Sequence, residues 1–181
     1  MKFQARALSD QIKLLKMQLE LEESTGDTSG FVDLSVMETI SKCVKNATPL
    51  CKKYAMRIKV EFQVNDKRFY WCKIKSLSSI GAWSELKRFS EEKRSPIGYA
   101  PFVDAYIRGG RSQEAASCIA LIRDEQIRID KLEDNKQYME AALLAIKLND
   151  QHRLIDIYRS CNNKQMKADI ATLGAKIGVR L

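Results

Sequence analysis

Residues that interrupt helices are scarce in this sequence, which has only 8 Gly and 3 Pro among 181 residues. Gly and Pro are the least favourable residues in a helix interior, whereas Leu, Ala, Lys, Glu and Gln favour it. The hydrophobic fraction of 45% and the charged fraction of 30% are ordinary for a folded chain, so disorder throughout is not expected. The composition therefore predicts a helical protein, either one compact domain or one stretch of a longer array.

Long apolar runs are also absent. The longest purely apolar run is Ala141–Ile146, far short of the ~20 residues that span a bilayer as a helix. The opening residues, Met-Lys-Phe-Gln-Ala-Arg, contain no apolar core of the kind that a signal peptide has. Any contact with a membrane is therefore expected to be indirect, through partners or surface charge.

The sequence has few of the residues that catalysis needs. Its only histidine is His152, at the start of a predicted helix, where a surface or capping histidine is far more common than a general base. No phosphate-binding loop, dinucleotide fingerprint or zinc-protease motif occurs. The cysteines are odd in number, and no two have metal-type CxxC spacing, which predicts reduced, mostly buried thiols: Cys43, Cys51, Cys72, Cys118 and Cys161. We therefore predict no catalytic residue, no metal, no cofactor and no enzymatic activity.

Helical periodicity is the strongest positive signal. In the first 23 residues, apolar side chains recur at helical spacing from Leu8 to Leu21, which predicts a helix over about residues 2–23. Ser35 and Glu38 form a Ser-x-x-Glu capping box that starts a second helix. About ten short helices follow this pattern in all. The one candidate strand, residues 58–64, alternates β-branched with charged residues but lies in a helical context.

Three segments resemble one another and predict a repeat. They begin at Ile74, Val103 and Ala142, and each has an apolar helix, a Gly or Asn-Asp turn and a second helix. A helical hairpin cannot bury its apolar face alone, so neighbouring hairpins must stack. The spacing, roughly 30 to 40 residues, is typical of helical-hairpin repeats. The predicted fold is therefore all-α, an α-solenoid of stacked helical hairpins.

Two features suggest a binding surface. Arg68 stands next to the aromatic run Phe69-Tyr70-Trp71, and an arginine beside aromatics is a typical interface anchor, although part of the run must enter the core. Ala7, a small residue on the first helix, would allow another surface to approach closely, or would simply favour helix. The net charge of +8 permits an acidic protein, an anionic membrane or nucleic acid as partner. A basic RNA-binding helical array therefore stays open as an alternative, with only weak, non-specific binding to nucleic acid expected otherwise.

Several longer segments carry a family resemblance. They are the stretch from Asp66 (Asp-Lys-Arg-Phe-Tyr-Trp-Cys-Lys-Ile-Lys) and the block from Phe89 (Phe-Ser-Glu-Glu-Lys-Arg-Ser-Pro-Ile-Gly-Tyr), supported by segments that start at Gln11 and Phe31. In these the chain resembles the C-terminal region of the vacuolar protein sorting-associated protein 16 family over about residues 3–161. The expected organisation is a helical solenoid over residues 1–161, followed by a C-terminal helix of uncertain role in residues 162–181.

The resemblance implies a scaffold of the HOPS and CORVET tethering complexes, which bring endosomes, lysosomes or vacuoles together before membrane fusion. Its implied partner is the Sec1/Munc18-type vacuolar protein sorting-associated protein 33, besides other HOPS and CORVET subunits. Its implied place is the cytoplasm, peripheral on late endosomal, lysosomal or vacuolar membranes. By position, the resemblance implies that Ala7 and Arg68 contact the partner, and we include Lys67 and Phe69 in the predicted partner-binding set.

The resemblance leaves one relative to consider. The spermatogenesis-defective-39-like adaptor shares the Ser-Pro-Ile-Gly block and binds a sister Sec1/Munc18 protein, but Phe102-Val-Asp and the Glu-Ala after Gly110 favour the first family. The family's usual N-terminal β-propeller has no counterpart in these residues. We therefore expect the chain to correspond to a fragment or a truncated product.

Overall fold

The structure, a computed structural model, describes residues 2–26, 30–92 and 94–179, and within them it contains helices and no strand. In chain order the helices are α1 (Lys2–Thr25), α2 (Val36–Asn46), α3 (Pro49–Glu61), α4 (Asp66–Ser79), α5 (Trp83–Glu92), α6 (Ala100–Arg108), α7 (Ser112–Ile119), α8 (Glu125–Asp134), α9 (Tyr138–Lys147), α10 (Gln151–Ser160) and α11 (Lys164–Lys176). The predicted all-α class is confirmed. The strand candidate at residues 58–64 is the last turn of α3 and the bend that follows it.

Local signals place the helix ends where the sequence predicts them. Ser35 caps α2 in a two-way capping box: the Glu38 amide donates to the Ser35 hydroxyl at 3.4 Å, and the Ser35 amide donates to the Glu38 carboxylate at 2.9 Å. Ala47 ends α2 in the left-handed region (φ 53°), and Pro49 occupies the first turn of α3, where its missing N–H is harmless. Capping and proline placement are local effects, so the sequence alone predicts them.

The predicted repeat reappears as one recurring corner. At the same place in each of the three aligned segments, a residue adopts the left-handed conformation: Gly81 (φ 67°), Gly110 (φ 69°) and Asn149 (φ 55°). In each segment the amide of the next residue donates to the carbonyl five residues earlier, at 3.0, 2.8 and 3.0 Å, respectively. This is the Schellman arrangement, which satisfies the last carbonyls of a helix and turns the chain sharply. The same corner also follows α3 at Gln63, α8 at Lys136 and α11 at Gly178, so it is a common helix end in this fold and is not confined to the three segments.

The chain divides into two compact units, Met1–Ile97 and Gly98–Leu181. In the first, α2 packs against both α3 and α4, while α1 packs on α3 and α5 on α4. Its fully buried side chains include Leu21, Phe31, Ile40, Ile58, Ile74 and Leu86. Polar pairs also lie inside, since the Ser41 and Ser76 hydroxyls share a 2.7 Å hydrogen bond. Helix α2 is therefore the centre of this unit.

The second unit stacks hairpins in sequence order. Helix α6 packs on α7, α8 on α9, and α9 on α10, with α11 covering α9 and α10. Phe102, Tyr106, Ile129, Leu154, Ile157 and Ile170 form its fully buried core. The C-terminal helix predicted in residues 162–181 is present as α11. The proposed boundary after Cys161 stays a prediction.

Candidate partner-binding surface

The four predicted binding residues do not share one environment. Ala7 on α1 and Lys67 and Arg68 in the first turn of α4 are exposed, whereas Phe69 is only 5% exposed. Among the described residues, neither Lys67 nor Arg68 has a carboxylate within ion-pair distance of its side chain. Two adjacent cations therefore stand at the start of α4 without a partner in the described part of the chain, whereas Phe69 points inward.

Phe69 anchors α4 to α3. The Lys59 ammonium lies 5.1 Å from the centre of the Phe69 ring and also pairs with the Asp66 carboxylate at 2.5 Å. The ring and the ion pair hold the first turn of α4 against the end of α3. Phe69 is buried at the contact of α3 with α4, so its contribution beside Lys67 and Arg68 would be to position those two cations.

Trp71 is the exposed aromatic that the sequence prediction missed. Its side chain is 50% exposed, and it lies four residues from both Lys67 and Lys75, so the three share one face of α4. Three successive aromatics on a helix point in three directions, and this rule alone does not say which one faces solvent. Tryptophan and arginine are the residues most often responsible for binding energy at protein interfaces.

Helix α1 exposes the apolar row that its sequence displays most clearly. Leu8, Ile12, Leu15 and Leu19 are 42–59% exposed, and their spacing of four, three and four residues is that of a coiled-coil seam. We call these residues the α1 row. The helix attaches to its unit by another face, through Met17 and Leu21, which are buried.

Polar contacts fix how α1 lies on α3. Lys13 pairs with Glu61 at 2.8 Å, and Glu20 accepts hydrogen bonds from Tyr54 at 2.8 Å and Arg57 at 3.2 Å. Positions therefore rise along α1 as they fall along α3, and the two helices run antiparallel. The Lys13–Glu61 pair stabilises both charged forms: the pKa of Lys13 is raised and that of Glu61 lowered, chiefly by their shared hydrogen bond.

The end of α3 connects α1 to the start of α4. Glu61 contacts α1 through Lys13, and two residues earlier Lys59 contacts α4 through Asp66. Between them Val60 is 73% exposed. Ala7 lies further along α1, about 9 Å from Lys13 at 1.5 Å per residue. The end of α3 therefore contacts both α1, which carries the α1 row, and the start of α4, which carries Lys67 and Arg68.

Sequence comparison identifies the family. A sequence model described as "Vps16, C-terminal region" matches residues 1–174. The chain belongs to the Vps16 C-terminal family. It is 39% identical over 173 residues to the vacuolar protein sorting-associated protein 16 homolog of Dictyostelium discoideum. The aligned residues cover 96% of this chain and 20% of that protein. It is 38% identical over 157 residues to Protein VACUOLELESS1 of Arabidopsis thaliana, covering 87% of this chain and 18% of that protein.

The family match extends through most of the fold. It runs past Cys161, where the resemblance in the sequence fades, into α11. A more distant relative, vacuolar protein sorting-associated protein 16 of Saccharomyces cerevisiae, is 27% identical over 177 residues, covering 91% of this chain and 21% of that protein. The chain thus spans about a fifth of the length of the curated relatives that it matches. The Dictyostelium discoideum and Saccharomyces cerevisiae relatives are named for vacuolar protein sorting.

Other candidate sites in this Vps16 C-terminal chain offer little chemistry. His152 is exposed in the first turn of α10, which Asp150 caps by accepting from the Arg153 amide at 2.9 Å. Burial raises the pKa of the Cys43 thiol to about 12, so the nucleophilic thiolate is scarce at neutral pH. Within residues 2–26, 30–92 and 94–179, no group of three metal-ligating side chains converges, and no helix is long and apolar enough to cross a bilayer.

Proposed function

We propose that this chain is an adaptor that binds the Sec1/Munc18-type vacuolar protein sorting-associated protein 33 within HOPS and CORVET tethering complexes. It acts by binding rather than by catalysis. It would serve trafficking from endosomes to lysosomes or vacuoles and the membrane fusion that follows. Its place would be the cytoplasmic side of those membranes, reached through its partners. Family membership supports the sorting role, and the surface of the first unit supports the binding role.

One observation carries this proposal. The first unit presents an uncovered apolar α1 row together with the exposed cations Lys67 and Arg68 beside the exposed Trp71. An apolar and aromatic centre with a polar rim is typical of a protein interface, and tryptophan and arginine are enriched there. Arg68 can meet a carboxylate or carbonyl of the partner with its planar fork. Ala7, beside Leu8, leaves room for the partner to approach the row.

Co-purification with the partner tests the proposal. Arg68→Glu places like charge against the partner's acceptor and leaves both groups unpaired, which typically costs about 2–5 kcal/mol, or roughly 30- to several-thousand-fold in affinity. Ala7→Asp should weaken binding differently, by blocking close approach and burying a charge. Both positions are exposed, so neither change should lower the melting temperature.

A matched control separates a specific contact from general charge. Arg123→Glu reverses an exposed arginine of the second unit and should leave co-purification unchanged. If Arg68→Glu and Ala7→Asp both melt normally and still bind like the parent, the partner surface lies elsewhere, on the helices after Pro96. If both fail to fold, the two side chains are needed for stability, and their assignment to a partner surface is wrong.

A further inference from the structure

A small cavity opens between four helices of the first unit, apart from the α1 row. Its volume is about 140 Å³. Val44 of α2, Ala55 of α3, and Phe69 and Leu77 of α4 form an apolar floor, and all four are buried. Ligand sites for small molecules usually span about 300–1,000 Å³, whereas a cavity of roughly 150 Å³ accommodates one benzene ring. The cavity therefore has the size of one large apolar side chain.

Lys73 supplies a cation in the wall of this cavity. Its ammonium lies 3.8 Å from the centre of the Phe89 ring and makes no ion pair or hydrogen bond with a described residue. Burial lowers the pKa of Lys73, and the carboxylates of Glu92 and Glu85 offset that effect only in part. A partly desolvated ammonium without a hydrogen-bonded anion is unfavourable, so it would gain from a carboxylate that enters the cavity.

The rim adds further charge around the same opening. Glu85 pairs with Lys52 at 3.3 Å and with Arg88 at 2.8 Å, which neutralises its carboxylate in place. Glu92 lies 4.0 Å from Arg88. The rim carboxylates thus have cationic partners, whereas Lys73 has no ion-paired carboxylate among the described residues. The charge that the cavity lacks is negative.

We propose that this cavity is a second binding site, which receives a phenylalanine side chain of a partner protein whose neighbouring residue is Asp or Glu. The ring would fill the apolar floor, and the adjacent carboxylate would pair with Lys73. A nucleic acid or lipid headgroup would use the charge but leave the floor empty. The site lies outside the Lys67–Arg68 pair and the α1 row, so it goes beyond the proposed function and does not depend on it.

Fluorescence anisotropy with three short labelled peptides tests the site on the intact chain. The probe is Gly-Ser-Asp-Phe-Glu-Ser-Gly with blocked ends. One control peptide replaces Phe by Ala, and the other replaces Asp and Glu by Lys. The probe should bind, and each control peptide should bind at least about 10-fold more weakly, because each lacks one of the two required groups.

Variants of α4 assign the binding to the cavity. Lys73→Met keeps an apolar stem but removes the charge, and it should weaken probe binding by about 10-fold or more. Lys73→Arg should largely restore binding. Lys75→Met, an exposed position two residues further along the same helix, should change the affinity less than about twofold. Melting curves should show that Lys73→Met is as stable as the parent or more stable, because a desolvated charge is removed.

Three results would contradict the proposed site. They are undetectable binding at millimolar probe, equal binding of the probe and the Phe-to-Ala peptide, and unchanged binding by Lys73→Met. Equal binding of the probe and the Phe-to-Ala peptide would show only a non-specific anion patch. Arg68→Glu should leave probe binding intact, and Lys73→Met should leave co-purification with the Sec1/Munc18-type partner intact. The two proposals can therefore fail separately.

Discussion

The Gln18 amide on α1 donates a 2.8 Å hydrogen bond to the hydroxyl of Thr39 on α2, and both residues are buried. The same amide nitrogen donates to the Leu34 carbonyl at 2.7 Å, just before α2 begins. One side chain thus joins α1 to the central helix of its unit and satisfies a carbonyl in the preceding loop. A buried polar group of this kind fixes position, because misplacing it leaves its partners without hydrogen bonds.

Replacing Gln18 by Leu should therefore destabilise the chain. The change keeps the side-chain volume roughly the same but leaves the Leu34 carbonyl without this donor. The loss should lower the free energy of unfolding by about 1–3 kcal/mol. Urea unfolding should show a lower midpoint with an unchanged slope. Gln11→Leu, at an exposed position of the same helix, is the matched control and should unfold like the parent. Equal stability of the Gln18 variant and the parent would mean that α1 is held by its apolar contacts alone.

The two faces of α1 provide a second test with identical chemistry. Leu19 is 47% exposed and Leu21 is fully buried. Leu21→Ala should cost about 2–5 kcal/mol, because it opens a cavity in the core. Leu19→Ala should change the free energy of unfolding by less than about 0.5 kcal/mol, yet weaken co-purification with the proposed Sec1/Munc18-type partner. If Leu19→Ala destabilises the chain as much as Leu21→Ala, the α1 row is covered within the chain and is not a docking surface.

Substitutions at Phe69 and Trp71 provide a third test, in which the first should reduce stability and the second should reduce binding. Phe69→Ala removes a buried ring and should cost about 3–5 kcal/mol of folding free energy. Trp71→Ala removes an exposed ring, so the free energy of unfolding should barely change. If the ring is an interface anchor, affinity for the partner should fall by roughly 30-fold or more. Thermal melts and partner titration measure the two effects independently. If the Trp71 variant binds like the parent, the contact of α4 with the partner involves Lys67 and Arg68 but not Trp71.

The capping box of α2 makes stability depend on pH. Hydrogen bonding to Ser35 lowers the pKa of Glu38; the hydroxyl makes the larger contribution and the backbone amide the second. A carboxyl whose pKa is lower in the folded state stabilises that state above its unfolded value, about 4.3, and loses this effect as the pH falls through the folded value. Glu38→Gln should therefore lose stability relative to the parent at pH 7, and the difference should shrink below about pH 4.

Urea unfolding at several pH values measures this difference. Glu23→Gln on α1 changes an exposed glutamate that has no hydrogen bond or ion pair with a described residue, and it serves as the control. Its stability relative to the parent should vary little over the same range. A constant difference for Glu38→Gln across all pH values would show that the charge of Glu38 plays no part in capping.

The sequence by itself determined the helices and their ends. The Ser35–Glu38 box, Pro49 at the start of α3 and the corners at Gly81, Gly110 and Asn149 act through neighbours within about five residues, so local pattern predicts them. The family resemblance was readable for the same reason, since the matching segments are continuous in sequence. The predicted all-α class follows from these local effects together with apolar periodicity.

Only the tertiary structure decided which apolar face each helix buries. Helix α1 carries apolar residues on two sides, and periodicity cannot tell that Leu21 enters the core while Leu19 stays in solvent. For the same reason, the sequence pattern predicts Phe69 as a contact residue, whereas Trp71 is the aromatic that faces solvent. The Lys73 cavity forms only where the four successive helices α2 to α5 pack together. Burial depends on contacts between residues far apart in the chain, whereas helix formation depends mainly on near neighbours.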